Sequence, residues 1–276
     1  MEYIYAFFLG VLQGVTEFLP VSSSGHLSLL EHAFGFKEPE TFFDVSLHAG
    51  TLLAVLVFFR SLVLDILSSI FRCVESVLSG KKVETKDREN AWLVVKVLVA
   101  SIPAGVVGSF FGDAMEGLSK DAHIVSILLI VNGGILLLNY PSKPIFAKNS
   151  RNLASCSLLA CLAIGVVQAI AILRGISRSG STITAGNMLG LKPEDSARFS
   201  FLLFLVTVSG AVVLEIAKSK SSSSSFTLGQ VILGAVVAFM FGVISLKVLM
   251  RVLASKKLYL FAPYCFVIGL AGLLLL

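Results

Sequence analysis

The sequence predicts an all-α integral membrane protein of about six transmembrane helices plus two re-entrant helix-loop-helix segments, arranged as an inverted repeat. Three observations predict it: a composition too poor in charge for a soluble globule, apolar runs of bilayer-spanning length, and a Ser/Gly-rich segment that occurs twice. Of 276 residues, 56% are hydrophobic and only 14% charged, with a mean hydropathy of +0.91. Charge at that density does not solvate a surface of this size, which excludes a soluble fold. A hydrocarbon core of about 30 Å takes spans of about 20 apolar residues, so a chain of this length makes one bundle. The expected organisation is a single polytopic membrane domain, 1–276, with repeat halves of approximately 1–140 and 141–276.

Uninterrupted apolar runs place spans at approximately 42–59, 91–111, 122–140, 199–217, 227–249 and 258–276. Two further apolar stretches, 3–35 and 152–191, are broken by Ser and Gly. Orientation follows Lys and Arg, which concentrate in short cytoplasmic loops. Arg60, Arg72, Lys81, Lys82, Lys86 and Arg88 put the first connection inside, and Asp113, Glu116, Lys120 and Asp121 put the next one outside. Lys143, Lys148 and Arg151 put the third inside. Arg251, Lys256 and Lys257 then fall inside only if 152–191 dips into the membrane and returns to its own side. Lys218 and Lys220, beside the Ser221–Ser225 run, become exceptions on the outside. By the same logic 3–35 enters from the outside and returns there.

The net charge of +5 and pI of about 9.0 therefore reflect loops facing anionic lipid, and no nucleic-acid partner is expected. Cys73, Cys156, Cys161 and Cys265 show no Cys-x-x-Cys spacing and are expected to form neither a disulfide nor a metal site. Met1-Glu2-Tyr3-Ile4 lacks the basic start of a signal peptide, so the first apolar segment is expected to stay in the mature protein.

Aligning Gly10-Val11-Leu12-Gln13 with Gly165-Val166-Val167-Gln168, a shift of 155 residues, also aligns Ser22-Ser23-Ser24-Gly25 with Ser177-Arg178-Ser179-Gly180, without a gap. Gly10, Val11, Gln13, Ser22, Ser24 and Gly25 match identically. On the topology above the two copies enter from opposite sides, and such repeats place a site near the bilayer midplane where the broken segments meet. Irregular backbone at that depth has to be buried in protein or line a wet cavity. The plainer reading is that the small residues only let helices pack closely.

The polar residues at the breaks favour a site. Glu17 lies in an apolar stretch with Gln13 four residues earlier on the same helix face. A carboxylate at membrane depth is costly and marks function, unless it snorkels to the interface. Ser22, Ser23, Ser24 and His26 put hydroxyls beside an imidazole at a turn set by Pro20 and Gly25, which is what activation of a serine needs. Arg178, flanked by Ser177, Ser179, Gly175 and Gly180, has no partner in its own segment and calls for an anion. A guanidinium meets phosphate through paired hydrogen bonds, and Ser177, Ser179, Ser181 and Thr182 add hydroxyls beside the N–H groups of a helix start. The alternative is a structural ion pair with Glu17. A pocket with one carboxylate, one imidazole, one guanidinium and many hydroxyls suits a phosphorylated lipid, and the residues alone leave phosphoryl transfer and phospholipid transport both open.

Gln13-x-x-x-Glu17 with Pro20-Val21-Ser22-Ser23-Ser24-Gly25-His26, and later Gly175-Ile176-Ser177-Arg178-Ser179-Gly180-Ser181-Thr182, resemble the two signatures of the undecaprenyl pyrophosphate phosphatase family, the bacitracin-resistance type. Both occur in order, and Phe199-Ser200-Phe201-Leu202-Leu203 and the chain length are similar as well. The resemblance implies hydrolysis of undecaprenyl pyrophosphate to the monophosphate carrier for peptidoglycan and envelope polymers, at the outer face of a bacterial inner membrane, with a divalent cation, Mg or Ca. It implies Ser23 as candidate nucleophile, His26 as base or acid, Glu17 as the carboxylate near the metal or His26, and Arg178 as the pyrophosphate clamp. Gln13, Ser22, Ser24, Gly25, Gly175, Ser177, Ser179, Gly180 and Thr182 complete the expected substrate site. Expected partners are the lipid, the membrane and a second copy of the chain. Two departures stand out: Gln13 replaces a common Glu, and Arg174 replaces the proline that usually precedes Gly175. The second departure either loosens the turn that aims Arg178 or brings another cation to the diphosphate.

Overall fold

A computed structural model describes residues 2–34, 41–140, 151–218 and 226–276. Those residues are mainly helical, with no strand among them beyond an isolated bridge between Arg151 and Leu191. The order is α1 (Glu2–Thr16), α2 (Ser23–Phe34), α3 (Thr41–Phe58), α4 (Arg60–Leu78), α5 (Thr85–Ser119) and α6 (Ala122–Leu137). The second half holds α7 (Leu158–Ile170), α8 (Arg178–Met188), α9 (Pro193–Lys218), α10 (Leu228–Ala254) and α11 (Ala262–Leu275). Among the described residues four segments are long and apolar enough to cross a membrane: Thr85–Gly112, Pro193–Leu214, Leu228–Ala254 and Leu258–Leu275. They match the expected spans at 91–111, 199–217, 227–249 and 258–276. The chain is a multi-pass membrane protein.

The other two expected spans differ. The run at 122–140 ends as a helix at Leu137, giving α6 16 residues and a length of about 24 Å, short of the hydrocarbon core. The run at 42–59 becomes α3, which is long and apolar enough to cross a membrane only together with α4, beyond a bend of 76° at Phe59. The segment read from its charges as a connecting loop is thus largely the helix α4, whose Leu64, Leu67, Phe71, Val74 and Val77 are exposed. Asp113 and Glu116, read as an outside loop, instead continue α5, a helix of 35 residues with Pro103 inside it. Lys143, Lys148, Lys220 and the Ser221–Ser225 run lie outside the described residues.

Both broken stretches are helix, break, helix: α1 and α2 around 17–22, α7 and α8 around 171–177. No helix in either pair exceeds 15 residues, about 22 Å. The two copies also cap alike. Ser22 Oγ accepts from the Gly25 N–H at 3.2 Å, and its aligned counterpart Ser177 Oγ accepts from the Gly180 N–H at 3.1 Å. Their packing is reciprocal as well: α1 lies along α10 of the second half, α7 lies along α5 of the first, and the closing helices α6 and α11 lie against each other.

Lipid tails compete with apolar side chains on equal terms, so association in the bilayer depends on close approach. A Cβ on Gly10 would stand 2.7 Å from the Gly234 carbonyl oxygen, and one on the aligned Gly165 would collide with the backbone of Ala100. Within the first break, Phe18 is fully buried and meets Phe201 and Phe204 edge-on, each with centroids 5.7 Å away.

Candidate active site

The two breaks meet. Ser22 Oγ, which caps α2, also accepts the Gly175 N–H at 3.1 Å, and Ser179 Oγ donates to the Phe18 carbonyl at 3.2 Å. A Cβ on Gly25 would lie 2.9 Å from the Gly175 Cα, so glycine is required where the backbones cross. Gly175 has φ +109°, a conformation that side-chain-bearing residues avoid, and Ser22 sits at φ 68°. Asn132 of α6 bridges the junction. Its Nδ2 donates to the Pro20 carbonyl at 2.9 Å and its Oδ1 accepts the Ser177 N–H at 3.0 Å. Asn132→Leu leaves the buried Pro20 carbonyl and Ser177 N–H without this partner and should lower stability by about 1–3 kcal/mol. Thermal unfolding in detergent measures this, and an unchanged midpoint would contradict the bridge.

Around this hinge the charged groups converge. Arg178, the first residue of α8, pairs through Nη2 with Glu17 Oε1 from the other break. Glu17 Oε2 accepts from Ser23 Oγ at 2.7 Å and from Gln13 Nε2 at 3.0 Å. Gln13 Nε2 also lies 3.1 Å from His48 Nδ1 on α3. The Arg178 guanidinium rests over the Phe204 ring, 4.3 Å from its centroid. The Glu17 side chain is nearly sealed, with 4% of its surface accessible, whereas 22% of the Arg178 side chain remains open to a ligand. Both α2 and α8 begin at this junction, so two helix N-termini contribute positive partial charge to it.

His26 takes a different position from the one its spacing implies. Its Nδ1 faces the Ser22 carbonyl at 2.8 Å, and a carbonyl only accepts, so Nδ1 carries the proton. Its Nε2 meets the hydroxyl of Tyr264 on α11 at 2.7 Å, and the two rings stack with centroids 5.5 Å apart. Among the described residues no hydrogen bond joins His26 to Ser23; the group in contact with Ser23 is Glu17.

Several hydroxyls expected at the substrate also make hydrogen bonds within the scaffold. Ser22 and Ser177 cap helices, and Thr182 Oγ1 donates to the Arg178 carbonyl at 2.8 Å while lying 2.6 Å from Ser200 Oγ. Ser24 is half-buried, its hydroxyl 3.5 Å from that of Ser22. Arg174 is half-buried immediately before the Gly175 turn. His48, Asn132, Phe204 and Tyr264 are additions that sequence spacing did not single out as functional. Asn132 carried the clearest signal, a carboxamide in an otherwise apolar run.

The residues fit a divalent cation caged by protein poorly. Both Glu17 oxygens are engaged, Gln13 offers only a neutral amide, and no cluster of three His, Cys, Asp or Glu among the described residues could hold a metal.

A family model described as "Bacitracin resistance protein BacA" matches residues 6–271. Similar proteins bear the name undecaprenyl-diphosphatase. One from Desulfosudis oleivorans is 41% identical over 270 residues, covering 98% of this chain and 97% of that protein. One from Desulforapulum autotrophicum is 39% identical, covering 99% and 98%, and one from Syntrophotalea carbinolica is 37% identical, covering 98% and 97%. With signatures, junction geometry and a match along nearly its whole length in agreement, the chain belongs to the BacA bacitracin resistance family.

Proposed function

We propose that this protein hydrolyses undecaprenyl pyrophosphate to undecaprenyl phosphate and inorganic phosphate, returning the lipid carrier to peptidoglycan and envelope polymer synthesis. The observation that carries the reading is the junction itself, where one carboxylate from the first break holds both a serine hydroxyl and the guanidinium of the second. Relatives named for this reaction support it. A polyprenyl-phosphate transporter or flippase, the rival suggested by broken helices, receives no support from those names.

In this mechanism the diphosphate displaces the Arg178 guanidinium from Glu17 and takes its charge, assisted by the N–H groups at the starts of α2 and α8. Glu17 accepts the proton of Ser23 as its oxygen attacks the terminal phosphorus. The phosphorus–oxygen bond to the bridging oxygen breaks, and undecaprenyl phosphate leaves. Water then hydrolyses the phosphoserine and releases inorganic phosphate. His26, oriented by the Ser22 carbonyl and Tyr264, is assigned proton exchange with the departing phosphate. Positioning and charge neutralisation supply most of the acceleration in such transfers. No step runs through a cation; Mg or Ca would supply charge neutralisation to a bound diphosphate, with Glu17 the carboxylate at the junction, and the residues alone build no cage for it. Calorimetric titration of either ion into substrate-free protein should accordingly show no saturable binding. Micromolar affinity would mean that the protein alone builds a metal site.

Tyr264→Phe tests the placement of His26. Losing one hydrogen bond should lower kcat by up to about tenfold, with a changed pH profile and an unchanged unfolding midpoint. A variant with wild-type kcat and pH profile would remove Tyr264 from the positioning of His26.

The proposed setting is a bacterial inner membrane with the junction facing the periplasm, 3–35 and 152–191 re-entrant, and the halves 1–140 and 141–276 forming one inverted-repeat domain. The matching caps and reciprocal packing support the repeat, and the basic residues flanking the α4–α5 connection support the orientation. Detergent micelles have no sides to transport between, so phosphate released there from the pyrophosphate lipid identifies an enzyme. Its absence from well-folded protein would return the reading to a carrier.

A further inference from the structure

The α4–α5 connection carries a pocket that shares no residue with the junction. Its volume is about 570 Å³, and its lining includes Cys73 of α4, Lys82 and Val83 of the connection, and Arg88, Trp92 and Val95 of α5. Arg88, Trp92 and Val95 follow at helical spacing along one face of α5. Two cations and no carboxylate line it. Both Lys82 and Arg88 are exposed, and neither makes an ion pair among the described residues.

Arg72, close by in sequence, is fully occupied: Nη2 meets Asp87 Oδ1 at 2.7 Å and Nε meets Oδ2 at 2.9 Å. Ser69 Oγ accepts from Arg72 Nη2 at 3.2 Å and from Asn90 Nδ2 at 2.9 Å. This network fastens α4 to the start of α5 and fixes the pocket walls. Trp92 and Val95 are one and two turns further into the apolar span, about 6 and 10 Å beyond Arg88. Both are exposed, as are Phe71 and Val74 on the neighbouring α4. The order along the helix, cations at the end of the span, then an interfacial tryptophan, then aliphatic wall, matches the order of phosphate, glycerol and acyl chain in a membrane lipid.

We propose that this pocket binds an anionic glycerophospholipid of the surrounding bilayer, with Lys82 and Arg88 on its phosphate and Trp92 and Val95 against its upper acyl chain. A free phosphate would use only the cations. A zwitterionic lipid brings a cation of its own into the basic mouth and gains less.

Trp92 is the only tryptophan in the chain, so its fluorescence reports this pocket alone. Full-length protein is placed in phosphatidylcholine vesicles containing increasing fractions of phosphatidylglycerol or phosphatidylcholine with brominated, quenching acyl chains. Wild-type protein should reach half-maximal quenching at about a tenfold lower fraction of the brominated phosphatidylglycerol. The double variant Lys82→Gln/Arg88→Gln should lose that preference while keeping its phosphatidylcholine curve, and Lys82→Arg/Arg88→Lys should retain it, which separates charge from folding. Millimolar inorganic phosphate should not move the curve. Phosphate release in micelles should be unchanged in the double glutamine variant, which distinguishes this site from the junction. Equal quenching by both lipids in wild type, or a preference that survives in the glutamine variant, would overturn the proposal. Displacement by inorganic phosphate or selectively by undecaprenyl phosphate would overturn it too, assigning the pocket to a free anion or to the reaction product.

Discussion

Arg178→Ala should lower kcat/KM for phosphate release by about 10³-fold or more, the range seen when an arginine that meets transferring phosphoryl charge is removed. The guanidinium is poised for that role, because it bridges the breaks to Glu17, lies over Phe204, and keeps part of its surface accessible. Arg178→Lys keeps the charge but loses the planar fork and weakens the contact with the ring, so its loss should be smaller yet substantial. Phosphate release and thermal unfolding, measured on the same purified variants, separate lost chemistry from lost fold. Near-normal turnover in Arg178→Ala would reject the clamp.

Glu17→Gln should lower kcat by about 10²- to 10⁴-fold, the usual worth of a positioned acid–base group. An amide is nearly the same size and can still accept one hydrogen bond, but it cannot take the Ser23 proton or balance Arg178. Ser23→Ala should lose activity comparably, because the hydroxyl 2.7 Å from that carboxylate is the attacking group in this mechanism. Rapid quenching with labelled substrate should trap phosphate on Ser23 in wild type and none in Ser23→Ala. Full activity in Ser23→Ala would transfer the attack to another group.

The reach of the sequence is uneven for physical reasons. Glu17 and Arg178 stood out because a charge in an apolar run is expensive, and the breaks stood out because Pro20 and Gly175 interrupt the helical pattern there. Both are local signals. Tyr264, Phe204 and Asn132 reach the junction from α11, α9 and α6, and their roles depend on contacts between residues far apart in the chain. Hydroxyl counts were ambiguous in a similar way: Ser22, Ser177 and Thr182 are as suited to capping and bridging helices as to meeting phosphate, and the capping and bridging contacts depend on the folded backbone. The amphipathic α4 escaped notice because Arg60 and Arg72 resemble loop residues, yet Arg72 is drawn into an ion pair with Asp87.

A double-variant cycle on phosphate release is the closest test of two breaks forming one site. If Glu17 and Arg178 act as a unit on one diphosphate, Glu17→Gln/Arg178→Ala should be scarcely slower than the worse of the single variants. Losses that multiply, with all three proteins folded and unfolding at similar temperatures, would show two independent groups and contradict a shared site.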